Sequence, residues 1–174
     1  MTTPENTRNA AENDLHRTLV DRLEIESLAV AYARGTDAIA LGKLDEGRRF
    51  YAQCFTEDAV VEASFPNNDP SGPPDLIANG PAAWAEETRK MFSSQGYTAT
   101  QHLLGTFVIE VRGETATMQC YVHAIHTLGP QGPIDVANGT YVDEVVHTPR
   151  GWRIARRTLR LIDFLRLQQA PAAG

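Results

Sequence analysis

The sequence predicts an α+β domain in which helices come first along the chain and pack on a mostly antiparallel sheet. Two observations predict this class. Apolar residues recur at helical spacing in the first half of the chain, and four long extended stretches joined by turn residues fill the second half. Strands that follow one another through short turns pair antiparallel, so the helices are expected on one face of the sheet.

The first predicted element is a helix that starts near Leu15. Its apolar stripe consists of Leu19, Leu23, Ile25, Leu28, Ala29 and Tyr32. Gly35 is expected to loosen this helix, and Gly42 to end it. Residues 1–13 are polar and predicted to form a disordered N-terminal tail.

A short second helix is predicted to place Phe50, Tyr51 and Cys54 inward, and a strand follows in FTEDAVVEASF. The next segment, PNNDPSGPPDLIANGP, is rich in Pro, Gly, Asn and Asp, so regular structure is not expected there. Pro81 suits the first turn of a third helix, in which Trp84, Thr88 and Met91 have the spacing of one face.

The second half of the chain is predicted to be sheet. Four strands are expected over Thr98–Val111, Thr115–His126, Ile134–His147 and Trp152–Phe164. A sheet that curls around helices leaves a cavity, and such a cavity is where a small ligand would bind.

Length and composition fit one domain. The chain has 174 residues, and we expect residues 14–166 to form a single domain with a flexible C-terminal tail at 167–174. A net charge of -6 argues against nucleic-acid binding, and no apolar run is long enough for a membrane span. The two cysteines form no disulfide framework, so a cytoplasmic location is expected, and neither a metal site nor a cofactor is predicted.

Asp37 is the first candidate for a functional residue. Its neighbours Ala38, Ile39, Ala40 and Leu41 are apolar. A carboxylate in such surroundings is desolvated or paired, and either condition shifts its pKa. The alternative is a residue at a helix end that caps backbone groups or faces solvent.

His102 lies early in a predicted strand, and its orientation is open. Strict alternation groups Leu103 with Phe107, Ile109 and Val111, which places His102 on the less apolar face. A bulge at Gly105 would reset the alternation and turn His102 inward.

His126 is the better inward candidate of the pair His123 and His126. Positions three apart on a strand point to opposite faces, which argues against joint metal ligation. His126 shares its face with the apolar set Met118, Cys120, Val122 and Ala124. Trp84 and Cys120 are also candidate substrate contacts.

The last strand is rich in arginine. One of Arg156 and Arg157 is a candidate for the cavity, and the other would face solvent. A buried arginine needs an anionic partner, which Asp37 or a bound anion would supply.

The runs IESLAVAYARGTDAIALGKLDEGRRFYAQCFTEDAVVE, TQHLLGTFVIEVRGETATMQCYVHAIH and GTYVDEVVHTPRGWRIARRTLRLIDF resemble SnoaL-like proteins of the NTF2-like superfamily. The resemblance implies a cone-shaped fold, the cystatin-like α+β barrel. Within the superfamily the chain is most similar to the branch of scytalone dehydratase, hexachlorocyclohexane dehydrochlorinase and bile-acid 7α-dehydratase.

That branch pairs a first-helix aspartate with a strand histidine, and Asp37 and His102 fall at the matching places. The resemblance therefore implies a catalytic dyad in which His102 is the base and Asp37 orients it. It also implies roles for Tyr32 and His126 as further catalytic groups, and for Arg157 in substrate binding.

The resulting hypothesis is a cofactor-independent, dehydratase-type lyase acting on a small hydrophobic or cyclic substrate. Two alternatives are an isomerase or polyketide cyclase on the same scaffold, and a non-catalytic ligand-binding protein similar to the small subunit of ring-hydroxylating dioxygenases. The outer face of the curved sheet is expected to support a homodimer or homotrimer through Val136, Tyr141, Val145 and Val146.

Overall fold

The computed structural model describes residues 4–66, 69 and 72–168, in which three helices pack on one six-stranded sheet. The helices are α1 (Pro4–Ala40), α2 (Leu44–Cys54) and α3 (Pro81–Gln95). The strands are β1 (Phe55–Ser64), β2 (Leu76–Asn79), β3 (Ala99–Arg112), β4 (Thr115–Thr127), β5 (Ile134–Thr148) and β6 (Gly151–Leu167). The predicted α+β class is confirmed.

Helix α1 begins earlier than the sequence pattern predicted. Residues 4–13, expected to belong to a tail, continue the helix toward its N-terminus, whereas residues 1–3 lie outside the described residues. Gly35 does not interrupt the helix. A Cβ atom there would lie 2.8 Å from Cδ1 of Tyr51, so the glycine allows α2 to approach α1 closely. Gly42, at a φ of +76°, follows the helix as predicted.

The strand order is β2-β1-β6-β5-β4-β3. All neighbouring strands are antiparallel except β1 and β6, which are parallel. Strand β2 lies in the segment that was expected to lack regular structure. It pairs with β1 from Val60↔Asn79 to Ala63↔Leu76 and forms one edge of the sheet. Residues 169–174 of the expected C-terminal tail lie outside the described residues.

The inner face of the sheet packs against the helices. Alternation in β4 buries Met118, Cys120, Val122, Ala124 and His126, as the sequence predicted. Stripes from α1 and α3 cover this face, and Pro81 starts α3 at its first turn.

The outer face of the sheet differs from the expectation in one respect. Tyr141 and Val145 are 2% and 1% exposed and point inward with the core, so they cannot cover an outer interface. Large apolar side chains exposed on strands β3 to β6 instead include Leu103, Val108, Tyr121, Val142 and Ile162.

Candidate active site

A cavity of about 680 Å³ lies between the inner face of the sheet and helices α1 and α3. This volume falls in the range typical of small-molecule sites. Its wall is largely apolar, with Leu76, Met91, Val122, Leu159, Leu161 and Phe164 among the lining residues. Its polar lining residues are Tyr32, Thr36, Trp84, Thr88, Tyr97, His102, His126 and Tyr141, together with Asp75, Glu87, Lys90, Ser94 and Gln95.

Asp37 and His102 form a hydrogen-bonded pair at this cavity. Oδ1 of Asp37 lies 2.7 Å from Nδ1 of His102 and also accepts a hydrogen bond of 2.8 Å from Thr100. A carboxylate only accepts, so Nδ1 of His102 carries a proton, and in the neutral ring Nε2 keeps its lone pair. The His102 side chain is 6% exposed and lines the cavity, whereas Asp37 lies behind it.

A bulge in β3 turns His102 toward the cavity. The register between β3 and β4 shifts between Gly105 and Val108, and Thr106 has a φ of +55°. The extra residue reverses the alternation, so His102 and Ile109 both face inward although their spacing is odd. Leu103, which strict alternation grouped with Ile109, is 53% exposed. Of the two orientations left open by the sequence, the structure has the inward one.

His126 is a second buried histidine in the cavity wall. It is 5% exposed and is surrounded by the rings of Phe92, Tyr97, His102 and Phe164. Burial, together with the neighbouring His102, lowers the pKa of His126 to about 4. Its Nδ1 atom has no hydrogen-bond partner among the described residues. His126 is therefore a neutral imidazole at neutral pH.

Tyr32 lies between helix α3 and strand β5. Its hydroxyl accepts a hydrogen bond of 3.1 Å from Nε1 of Trp84. Trp84 donates and cannot accept, so this bond does not use the hydroxyl proton of Tyr32. Tyr32 and Tyr141, whose ring centres lie 5.3 Å apart, both line the cavity. Tyr32 can therefore donate to an oxygen in the cavity.

Arg157 does not line the cavity, which corrects its predicted role in substrate binding. It is fully buried and donates to both carboxylate oxygens of Asp143 at 2.7 Å, and Asp143 is also fully buried. Its guanidinium lies 4.1 Å from the ring centre of Tyr32 and 4.3 Å from that of Tyr141. The anionic partner of Arg157 is thus Asp143. The guanidinium of Arg157 also makes cation–π contacts with the rings of Tyr32 and Tyr141 on the side away from the cavity.

Cys120 is also placed away from the cavity wall. Its side chain is fully buried in the core, and burial raises its pKa to about 11. Trp84, the other candidate contact with substrate, does line the cavity. Cys120 lies on the same inner face of β4 as His126, but the alternation along a strand does not show which inward residues are covered by helices.

The remaining histidines lie away from the cavity, as expected. His123 is exposed on the outer face, with Nδ1 2.7 Å from Oδ1 of Asn138. His147 is paired with Glu114, and His16 is exposed on α1. Among residues 4–66, 69 and 72–168, no three His, Cys, Asp or Glu side chains are grouped to hold a metal ion.

Several cavity groups were missed by sequence reasoning. Thr36 and Thr88 line the cavity, each one helical turn after a predicted site residue. Tyr97 donates a hydrogen bond of 2.8 Å to the buried carboxylate of Asp135, which Arg166 also holds at 2.7 Å. The i, i+4 spacing of Tyr32 with Thr36 and of Trp84 with Thr88 was the available signal for the threonines.

No helix in the described part of the chain is long and apolar enough to cross a membrane.

The chain is similar to proteins of one family. The model of the SnoaL-like domain matches residues 17–158. An uncharacterized protein of Mycobacterium tuberculosis is 30% identical over 142 residues, which are 79% of this chain and 82% of the relative.

Three solved structures share the fold. A candidate aromatic ring hydroxylase from Novosphingobium aromaticivorans is 28% identical, with a TM-score of 0.67 over 85% of this chain and 94% of that one. A candidate scytalone dehydratase from the same organism is 22% identical, with a TM-score of 0.63 over 90% and 97%. Hexachlorocyclohexane dehydrochlorinase LinA-type3 from Novosphingobium barchaimii is 17% identical, with a TM-score of 0.67 over 91% and 99%. The chain belongs to the SnoaL-like family of the NTF2-like superfamily.

Proposed function

We propose that the chain is a cofactor-independent lyase of the dehydratase type that acts on a small cyclic molecule in the cavity. The observation that carries the proposal is the Asp37–His102 hydrogen bond of 2.7 Å, which leaves Nε2 of His102 as an acceptor facing an apolar cavity. Solved structures of the same fold include proteins named for dehydration and dehydrochlorination, which supports elimination chemistry.

His102 acts as the general base. Its Nε2 takes a proton from a carbon next to a carbonyl group, and the C–H electron pair forms the new double bond as the bond to the leaving hydroxyl breaks. Asp37 holds the Nδ1–H tautomer and stabilises the imidazolium that forms. His126 stays neutral and adds no competing positive charge beside it.

Tyr32 supplies the acid or electrophile. Its hydroxyl proton can be donated to the departing hydroxyl, which leaves as water. If Tyr32 instead donates a hydrogen bond to the substrate carbonyl, the imidazolium of His102 protonates the departing hydroxyl. These steps move protons and a leaving group and transfer no electrons to an acceptor, so the proposal includes no cofactor.

Solvent exchange tests the base without knowledge of the natural substrate. Cyclic ketones of one and two rings are incubated with the protein in D₂O, and deuterium uptake next to the carbonyl is followed by NMR. We expect the chain to accelerate uptake and His102→Asn to reduce the acceleration by about 10²–10⁴-fold, the usual contribution of a general base. His123→Asn, a histidine on the outer face, is the matched control and should retain the full rate.

Elimination is tested with cyclic β-hydroxy ketones, whose loss of water is followed by the absorbance of the enone. We expect Asp37→Asn and Tyr32→Phe to slow this reaction while the fold, checked by circular dichroism, is unchanged. A rearranged or cyclised product without release of water would indicate the isomerase or cyclase alternative. Full activity of His102→Asn would exclude His102 as the base.

A further inference from the structure

Two threonines of the cavity wall lie near a buried tyrosine. Thr36 on α1 and Thr88 on α3 both line the cavity. The Tyr51 hydroxyl lies 2.8 Å from Oγ1 of Thr36, and Thr88 also interacts with this hydroxyl. Tyr51 itself is fully buried and does not reach the cavity. These three residues are named the threonine cluster.

All hydroxyl protons of the threonine cluster have acceptors inside the protein. Thr36 donates to the backbone carbonyl of Tyr32 at 3.0 Å, and Thr88 donates to that of Trp84 at 2.9 Å. The proton of Tyr51 is directed to a threonine oxygen. Each threonine oxygen has two lone pairs, so the cluster retains acceptor capacity but no free donor.

We propose that Thr36 and Thr88 form a subsite that accepts a hydrogen bond from a hydroxyl group of the substrate. A ligand group facing these oxygens must bring its own proton, which an ether, a halide or a bare ring carbon cannot do. The inference rests on the proposed function only in taking the cavity as the substrate site. It adds that the substrate carries a hydroxyl group besides the group that reacts.

The threonine cluster lies beside the donor hydroxyl of Tyr32 and offers hydrogen-bond acceptors instead of a donor. Thr36 follows Tyr32 by one turn of α1, and Thr88 follows Trp84 by one turn of α3, so their Cβ atoms are separated by about 5–6 Å. The cavity thus presents a hydrogen-bond donor at one helical turn, here called a level, and hydrogen-bond acceptors at the next. A ring with an oxygen acceptor on one side and a hydroxyl on the other matches both levels.

The threonines are tested by substitutions that separate their oxygen from their shape. Thr36→Val with Thr88→Val removes both oxygens and keeps the branched outline, and Thr36→Ser with Thr88→Ser keeps the oxygens. The probes are 4-hydroxycyclohexanone and 4-methoxycyclohexanone, which differ in the donor proton and one methyl group. Affinity is read from the methyl NMR signals of Val122 and Ala124, which line the same cavity.

We expect the native chain and the double serine variant to prefer the hydroxyl probe by about tenfold, the equivalent of one hydrogen bond. The double valine variant should lose this preference. Equal affinities in the native chain, or a preference that persists in the double valine variant, would overturn the subsite. If the double valine variant does not fold, Thr88→Val against Thr88→Ser provides the same comparison.

The same titration in His102→Asn separates this inference from the proposed function. The preference should persist there, because His102 is not part of the threonine cluster. If the preference for the hydroxyl probe is lost while deuterium uptake still depends on His102, the subsite alone is overturned. If the preference persists while deuterium uptake does not depend on His102, the assignment of the base is overturned and the subsite stands.

Discussion

Replacing His126 by Phe is expected to make the protein less sensitive to acid. The folded state keeps the pKa of His126 at about 4, against an ordinary value of 6.5. Between these values the unfolded chain binds a proton that the folded chain does not, so the free energy of unfolding falls as the pH falls. One pKa unit corresponds to about 1.4 kcal/mol, which makes the loss about 3 kcal/mol by pH 4 and about 2 kcal/mol by pH 5.

The groups that face His126 come from several elements, and they remain in the variant. They are His102 on β3, Asp135 on β5 and Asp37 on α1, with Tyr97 stacked against the ring. A phenyl ring fits among the aromatic neighbours and removes the unpartnered Nδ1 atom. The difference between His126→Phe and the native chain therefore isolates the titration of this histidine.

Urea unfolding at pH 7 and at pH 5 measures the effect. The native chain should lose about 2 kcal/mol more than His126→Phe over this interval. His123→Phe, on the outer face, serves as the control and should behave as the native chain does. Parallel losses in His126→Phe and the native chain would refute the view that His126 is held neutral by burial.

Two further predictions concern the core and the bulge. Arg157→Met should lower the free energy of unfolding by about 3–5 kcal/mol, because it leaves the buried Asp143 unpaired, and adding Asp143→Leu should restore part of this loss. Urea unfolding of both variants measures the effect. A double variant that is no more stable than Arg157→Met would contradict the prediction. Thr106→Gly should raise the free energy of unfolding by about 1 kcal/mol, because a β-branched residue is strained at a φ of +55°. Thr117→Gly, an exposed strand position, should instead lower it, and equal losses at both sites would disprove strain at Thr106.

The sequence predicted the segregation of helices and strands because periodicity is a local property. It also predicted that His126 faces inward, since the alternation of β4 has no interruption. The orientation of His102 could not be decided in the same way. A bulge depends on how β3 pairs with β4, and Gly105 alone does not show whether the extra residue is accommodated.

Contacts distant in sequence limited the prediction of the site. The partner of Arg157 is Asp143 on the neighbouring strand, and the pairing of two strands is not visible in either strand alone. Cys120 and His126 share one parity, yet only His126 lies where the helices leave space. The roles of Asp37 and His102 as catalytic groups stay predictions, although the hydrogen bond expected between them is present.

The parallel pairing of β1 with β6 has a consequence for how the chain is made. Strand β1 is synthesised early, but its partner on one side is the last strand, and Glu62 pairs with Thr158. During synthesis the edge of β1 that pairs with β6 therefore stays open until β6 has left the ribosome. Unpaired strand edges promote association, so nascent chains are expected to depend on chaperones until β6 emerges.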